Sequence, residues 1–362
     1  MKTLAQPISS GYNLSHGART ADFNGWQMPT FYTSIMDEYK AVRNHFGIFD
    51  VSHMGRWWVQ GQDAERFLDY LTTNDLANLP DKRALYTLLL NEDSGIIDDL
   101  IIYKFNPKKF LVVNNAGNHE AVSDWFRSHA ENFDLCLQDI TSQIGQIAVQ
   151  GPSAKSVLDK VLGIETIKYF SFDEINFQEE SLIVTATGYT GEKGYELYGK
   201  PEILMSIWNN LINEHQGIAC GLGSRDLLRL EAGYCLHGND IDSCTSPFEA
   251  GLDWVCKLSK NDFIGKANCT KKNKKLVGLA FEKNQKILAR AHTPVFFNGV
   301  KIGEITSGNY SPKLERGIAL AYIDSPNDPK NALIQIRGND FEAEIVEPWF
   351  FRNIRGPEFS IS

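Results

Sequence analysis

Three features of the sequence predict an α+β fold with a separate all-β end. Helical and strand patterns are mixed over the first ~275 residues; a basic polar stretch, Lys271-Lys272-Asn273-Lys274-Lys275, then intervenes; only short strand patterns follow it. The chain has 362 residues, and at roughly 150 residues per domain that length predicts two or three domains, each able to bury a core. Hydrophobic residues make up 43% and charged residues 22%, the composition of an ordinary globular protein.

The elements can be justified in chain order. Leu100 to Phe105 and Phe110 to Asn114 read as a hairpin, because the intervening Asn106-Pro107-Lys108-Lys109 carries turn residues. Asn118 suits an N-cap, and after it Ala121, Val122, Trp125, Phe126 and Ala130 recur at helical spacing. Pro201 opens a second helix, with Ile203, Leu204, Ile207, Trp208, Leu211 and Ile212 on its apolar stripe and an end expected near Gly217. Beyond the basic stretch, which reads as a linker, Leu276 to Phe281 forms a strand. Asn298-Gly299 then joins Val295-Phe296-Phe297 to Val300-Lys301-Ile302, and Ala332 to Val346 turns at Gly338-Asn339. These strands predict a barrel or a sandwich.

Composition also excludes functions. Lys plus Arg number 36 against 45 Asp plus Glu, and the net charge of −9 repels a phosphate backbone, so nucleic acid is not an expected partner. No apolar run approaches the ~20 residues that span a bilayer, and Met1 to Pro7 lead into no apolar run, so neither a membrane partner nor a secretory signal is expected. A cytoplasmic location follows as the expectation. Cys136, Cys220, Cys235, Cys244, Cys256 and Cys269 form no C-x-x-C, and the eight histidines form no H-E-x-x-H; reduced thiols and no metal are expected. His53, in Phe49-Asp50-Val51-Ser52-His53-Met54-Gly55, reads as a buried structural histidine.

Three segments carry chemistry. Strand alternation places Asp99 with Ile101, Tyr103 and Phe105, which looks the more apolar face, and Asp98 with Leu100, Ile102 and Lys104. Asp99 is either a desolvated carboxylate suited to a reacting amine or an Asp that bonds its own turn. Glu196 follows the glycine-rich turn Thr187-Gly188-Tyr189-Thr190-Gly191-Glu192; it is either a solvated strand carboxylate or an acceptor for two hydrogen bonds from an amidine-like heterocycle edge. In Gly221-Leu222-Gly223-Ser224-Arg225-Asp226, Ser224 suits an N-cap, which puts Arg225 at the positive end of a helix dipole. Either Asp226 compensates that charge or Arg225 meets a ligand carboxylate.

Phe23-Asn24-Gly25-Trp26-Gln27-Met28-Pro29, Phe49 to Gly55, Gly95-Ile96-Ile97-Asp98-Asp99-Leu100, Val149-Gln150-Gly151-Pro152, Thr187 to Glu192, Gly221 to Asp226, Arg229-Leu230-Glu231-Ala232-Gly233 and Thr306-Ser307-Gly308 with Ser311-Pro312 occur in one order along nearly the whole chain. In these segments the chain resembles the aminomethyltransferases, the T-proteins of the glycine cleavage system. The resemblance implies a three-domain, cloverleaf-like fold around a central tetrahydrofolate site. Domain 1 would comprise residues 1–52 with about 140–240, domain 2 about 53–139 with about 241–270, and the C-terminal β-barrel about 276–352, leaving 353–362 as a tail. It implies Asp99 as the essential carboxylate near the reacting folate nitrogens, Glu196 on the pterin edge, and Arg225 at the folate glutamate end or the mouth of the site. Met54, Tyr86, Tyr103, Asn114 and Tyr189 would line the pocket. Two positions depart from the family pattern: His237 stands where Tyr is usual and Ser94 where Gly is common.

The implied reaction releases ammonia from the aminomethyl-lipoyl group of the H-protein carrier and yields 5,10-methylenetetrahydrofolate. A folate-dependent demethylase of a small methylated compound and a non-catalytic folate-binding accessory protein are the alternatives.

Overall fold

The computed structural model describes residues 3–164, 166–324 and 329–350, so the expected tail lies outside the described residues. The chain divides into two compact units, one of residues 1–89, 97–225 and 259–263, the other of residues 90–96, 226–258 and 264–362.

The first stretch of chain runs α1 (Ser10–Ser15), β1 (Arg19–Phe23), β2 (Trp26–Phe31), α2 (Ile35–Asn44), β3 (Gly47–Asp50), β4 (Gly55–Gly61), α3 (Ala64–Leu71), β5 (Arg83–Leu90), β6 (Ile96–Asn106) and β7 (Lys109–Asn114). It continues through α4 (His119–His129), β8 (Leu135–Asp139), β9 (Gly145–Gln150), α5 (Ala154–Leu162), β10 (Phe172–Phe177), β11 (Glu180–Thr185), β12 (Gly194–Gly199), α6 (Pro201–Asn213), β13 (Ile218–Cys220) and α7 (Leu222–Glu231). The first unit contains the two-stranded ribbon β1-β2, a six-stranded sheet in the order β10-β11-β12-β9-β3-β13 and a five-stranded sheet in the order β5-β6-β7-β4-β8.

Strand alternation assigns the two faces of the six-stranded sheet. Ile147 and Val149 of β9 and Leu197 of β12 pack with Leu158 of α5 and Leu204, Ile207, Trp208 and Leu211 of α6. Ile183 and Tyr198, on the opposite face, cluster with Tyr103, Leu111 and Val113 of the five-stranded sheet. The two sheets therefore confront one another across a second core.

Helix α6 begins at Pro201 as expected but stops at Asn213, before Gly217. Helix α7 begins at Leu222, so Ser224 sits inside it rather than at its cap. The cap comes from Glu38 of α2, a fully buried carboxylate that accepts from Gly221 N at 2.9 Å and Ser224 Oγ at 3.0 Å. Glu38 thus caps the helix N-terminus in place of Ser224.

The second unit contains β14 (Lys274–Phe281), β15 (Pro294–Phe297), β16 (Val300–Ser311), β17 (Arg316–Asp324), β18 (Asn331–Ile336) and β19 (Asn339–Val346), closed as a barrel in the order β14-β17-β16-β15-β18-β19. Pairing of β14 with β19 closes it, which decides between barrel and sandwich. Val277, Leu279 and Phe281 alternate inward with Ala319, Ala321 and Ile323 to fill the interior. Lys274 and Lys275, expected in a linker, are the first residues of β14. Positive φ at Asn298 (51°) and Gly299 (77°) makes the expected hairpin turn, whereas the last turn falls at Arg337 (52°) and Gly338 (80°), one residue earlier than expected.

Candidate functional site

The expected residues fall on the confronting sheet faces of the first unit. Asp99 and Tyr103 lie on the same side of β6, four residues or roughly 13 Å apart. Asp99 Oδ2 accepts from Tyr86 OH at 3.2 Å. The opposite side of β6 is nonetheless the more buried one: Asp98, Leu100 and Ile102 are wholly buried, and Lys104 pairs there with Glu65 of α3. The two faces thus differ in kind: the more buried one carries two charged residues, Asp98 and Lys104, whereas Ile101, Tyr103 and Phe105 beside Asp99 belong to the apolar inter-sheet cluster. Asp99 stays half-buried, on the side that faces the second sheet.

Glu196 lies opposite Thr185 on β11 and Ala148 on β9, and its side chain is 8% exposed. Its Oε2 accepts from Thr187 Oγ1 and, at 3.5 Å, from Tyr103 OH; its Oε1 accepts from Gln146 Nε2 at 3.3 Å. A carboxylate offers about four lone pairs, so acceptor capacity remains. Tyr198, two residues along the same face, receives Gln146 Nε2 at 3.1 Å and lies 3.1 Å from Tyr103 OH. Burial and the Glu196 charge push both phenols upward in pKa, so they remain protonated donors at neutral pH.

Arg225, in the first turn of α7, lays its guanidinium over the Tyr189 ring at 4.7 Å. Burial lowers its pKa, and Glu196, Tyr189 and Tyr198 oppose that shift. Arg225 Nη1 is buried with no hydrogen-bond partner among the described residues, and so are Gln146 Oε1, His53 Nδ1 and Arg56 Nε. His53 is buried, as expected; desolvation and the charges of Arg225 and Arg56 pull its pKa down to about 3, which keeps it neutral. Arg56 has no carboxylate partner among the described residues but donates to the carbonyls of Met54 at 2.7 Å, Ser52 at 3.1 Å and Thr141 at 2.6 Å, fixing the turn that presents Met54. Burial lowers the Arg56 pKa only to about 10, so it stays charged. Met54 packs against the inter-sheet cluster.

Asn114 is placed differently. Its Oδ1 accepts from Trp57 Nε1 at 3.2 Å and lies 3.3 Å from His119 Nδ1, while its Nδ2 donates to Asn115 O. The neighbouring Asn115 is the residue that reaches Asp99, through Nδ2 to Oδ1 at 2.7 Å. Sequence reasoning missed Asn115, Gln146, Thr187, Tyr198 and Arg56. The available signal was a glutamine inside the wholly buried run of β9 and a tyrosine two residues from Glu196.

Both departures from the family pattern lie in the second unit. His237 Nε2 donates to Ile96 O at 3.0 Å, a hydrogen bond in place of an aromatic contact. Ser94 holds φ at 73°, a conformation natural to glycine, and donates Oγ to Gly265 O at 2.5 Å.

Open buried donors and acceptors beside aromatic rings are groups that a polar heterocycle would complete. The description GCVT N-terminal domain matches residues 11–260, and that of the glycine cleavage T-protein C-terminal barrel domain matches residues 274–352. The chain is 45% identical over 345 residues to an aminomethyltransferase of Thermotoga maritima, covering 93% of this chain and 94% of the relative. To one of Staphylococcus haemolyticus it is 40% identical over 353 residues, covering 94% and 96%. The crystal structure of glycine cleavage system aminomethyltransferase T from Bartonella henselae superposes with a TM-score of 0.90 at 30% identity, covering 96% of this chain and 98% of that one. The chain belongs to the glycine cleavage T-protein family of aminomethyltransferases.

Proposed function

We propose that the chain transfers the one-carbon unit of an aminomethyl-lipoyl group, carried on the lipoylated H-protein of the glycine cleavage system, to tetrahydrofolate. The products are ammonia, 5,10-methylenetetrahydrofolate and the dihydrolipoyl carrier. The observation that carries this reading is the pairing of Glu196, which keeps acceptor capacity, with Arg225, whose buried Nη1 has no acceptor among the described residues. On this reading Glu196 meets the adjacent N–H donors of a pterin edge and Arg225, which feels the Glu196 charge, meets its oxo acceptor, a different role for Arg225 from the folate glutamate end or site mouth that the family resemblance implies. Tyr103, Tyr189 and Met54 supply the walls.

Tetrahydrofolate, when bound, supplies the nitrogen nucleophiles that take the methylene carbon. No nucleophile from the protein is then required, and its share is position and charge. Glu196 orients the heterocycle. Asp99 stands roughly 13 Å along β6 from Tyr103, so one elongated ligand can address both groups. The Asp99 carboxylate stabilises positive charge developing on the aminomethyl carbon and exchanges a proton at Oδ2, where Tyr86 OH already donates. A cytoplasmic site of action belongs to this reading; no helix among the described residues is long and apolar enough to cross a membrane.

The test is methylenetetrahydrofolate formation with three donors: aminomethylated lipoyl carrier, aminomethylated free lipoamide, and methylated small amines. The carrier is expected to be the preferred donor. Efficient turnover of a methylated amine with none from the carrier would favour a demethylase, and tetrahydrofolate binding with no turnover of any donor would favour an accessory protein.

A further inference from the structure

Resting on the reading of Asp99 above, we infer that Asn115 is a positioning residue for Asp99, itself held in place by Asp98. Successive carboxylates on one strand point to opposite faces, and a group that serves both must come from beside the strand. Asn115, immediately after β7, does so. Its Nδ2 donates to Asp98 Oδ1 at 2.8 Å and to Asp99 Oδ1 at 2.7 Å, with a longer contact to Asp99 O at 3.3 Å that shares one of the two hydrogens.

Asp98 is wholly buried. It also accepts from Asn115 N at 2.9 Å and from Asn118 Nδ2 at 2.6 Å, so the backbone and the side chain of Asn115 are tied to one carboxylate. The Asp99 carboxylate is consequently gripped at both oxygens, Oδ1 by Asn115 and Oδ2 by Tyr86 of β5. Two donors from two elements select one rotamer. Asp98 and the Tyr86 phenol are the titratable groups that face Asp99 through these contacts. Burial and the Asp99 charge raise the Asp98 pKa.

Three full-length variants test the assignment: Asn115→Ala, Asp98→Leu and Asp98→Asn. The readouts are the carbon-13 NMR titration of the Asp99 carboxyl, which requires no turnover, and steady-state kinetics with aminomethylated carrier and tetrahydrofolate. Asn115→Ala removes a charge-assisted donor, so the Asp99 titration moves to higher pH, and kcat falls at least about tenfold while the tetrahydrofolate KM stays within about threefold. Asp98→Leu frees Asn115 and moves both readouts the same way. Asp98→Asn keeps an acceptor for Asn115 and retains kcat within about threefold, a rescue that a purely structural role for the Asp98 charge would not give. Should Asp98→Leu fail to fold, Asn115→Ala and Asp98→Asn suffice. A folded Asn115→Ala protein with an unmoved Asp99 titration and wild-type kcat would overturn the inference. A wild-type enzyme inactive with the carrier would instead count against the proposed function, while the titration still decides the positioning role.

Discussion

The two units bury polar groups in different ways. In the barrel unit, Arg229 is 1% exposed and fully engaged: Nη1 bonds Asp240 at 2.5 Å and Nη2 bonds Ser307 Oγ at 2.9 Å, while Asp240 also accepts from Leu236 N and the hydroxyls of Thr306 and Ser307. No buried side-chain polar atom without a partner occurs among the described residues of that unit, whereas the first keeps several, some away from the candidate site, as at Ser9, Trp125 and Trp208, and four at it, on His53, Arg56, Gln146 and Arg225. A closed network serves stability. Atoms left open at a cost of about 1–3 kcal/mol each are expected where a ligand completes them.

This contrast is most exposed to test at Asp240. Asp240→Ala removes the buried one of the two carboxylates on Arg229, leaving the half-exposed Asp226 at 2.8 Å, so a loss of about 1.5–3 kcal/mol is expected in chemical unfolding. The tetrahydrofolate affinity of the remaining folded protein should be unchanged, and a large affinity loss at unchanged stability would erase the distinction. In the first unit the order reverses. Glu196→Gln and Arg225→Met should each weaken tetrahydrofolate binding by about 1.5–3 kcal/mol in isothermal titration. Arg225→Met should lower stability by no more than about 1 kcal/mol, because it loses the contact with the Tyr189 ring but also removes a buried Nη1 that lacked a partner.

How much of this was legible in the sequence depends on how local the cause was. Alternation along β6 separated Asp98 from Asp99, and Pro201 and Asn298-Gly299 marked their elements, because each of these effects acts within a few residues. The cap on α7 was illegible, since Glu38 stands more than 180 residues before Gly221 and Ser224 offered a local decoy. Lys274 and Lys275 read as linker because charge suggested solvent, yet pairing with Asp324 and Ile323 draws them into β14. Of the site, the carboxylates and the arginine stood out as charges in apolar surroundings. Asn115, Gln146 and Tyr198 are ordinary polar residues whose partners only the tertiary structure reveals.

A smaller effect concerns pH. His53 is depressed to about 3 in the fold against 6.5 when unfolded, so the unfolded chain binds the extra proton between these values. Stability attributable to His53 is therefore intact above about pH 6.5 and declines as pH falls toward 3, by up to about 1.4 kcal/mol per unit. His53→Gln should flatten that part of the unfolding profile, and an unaltered slope would show that the ring ionises freely in the fold. Smallest of all, Ser94→Gly in the barrel unit relieves a positive φ but forfeits the bond to Gly265 O, so thermal unfolding should register a net change within about 1 kcal/mol.

The central claim is that Asp99 supplies charge to the reaction while Glu196 and Arg225 supply binding. Single-turnover formation of methylenetetrahydrofolate by Asp99→Asn, at saturating aminomethylated carrier and tetrahydrofolate, tests it most directly. The rate is expected to fall by roughly 100-fold or more, with tetrahydrofolate affinity kept within about tenfold and the melting transition intact. A folded Asp99→Asn protein that turned over at close to the wild-type rate would contradict it.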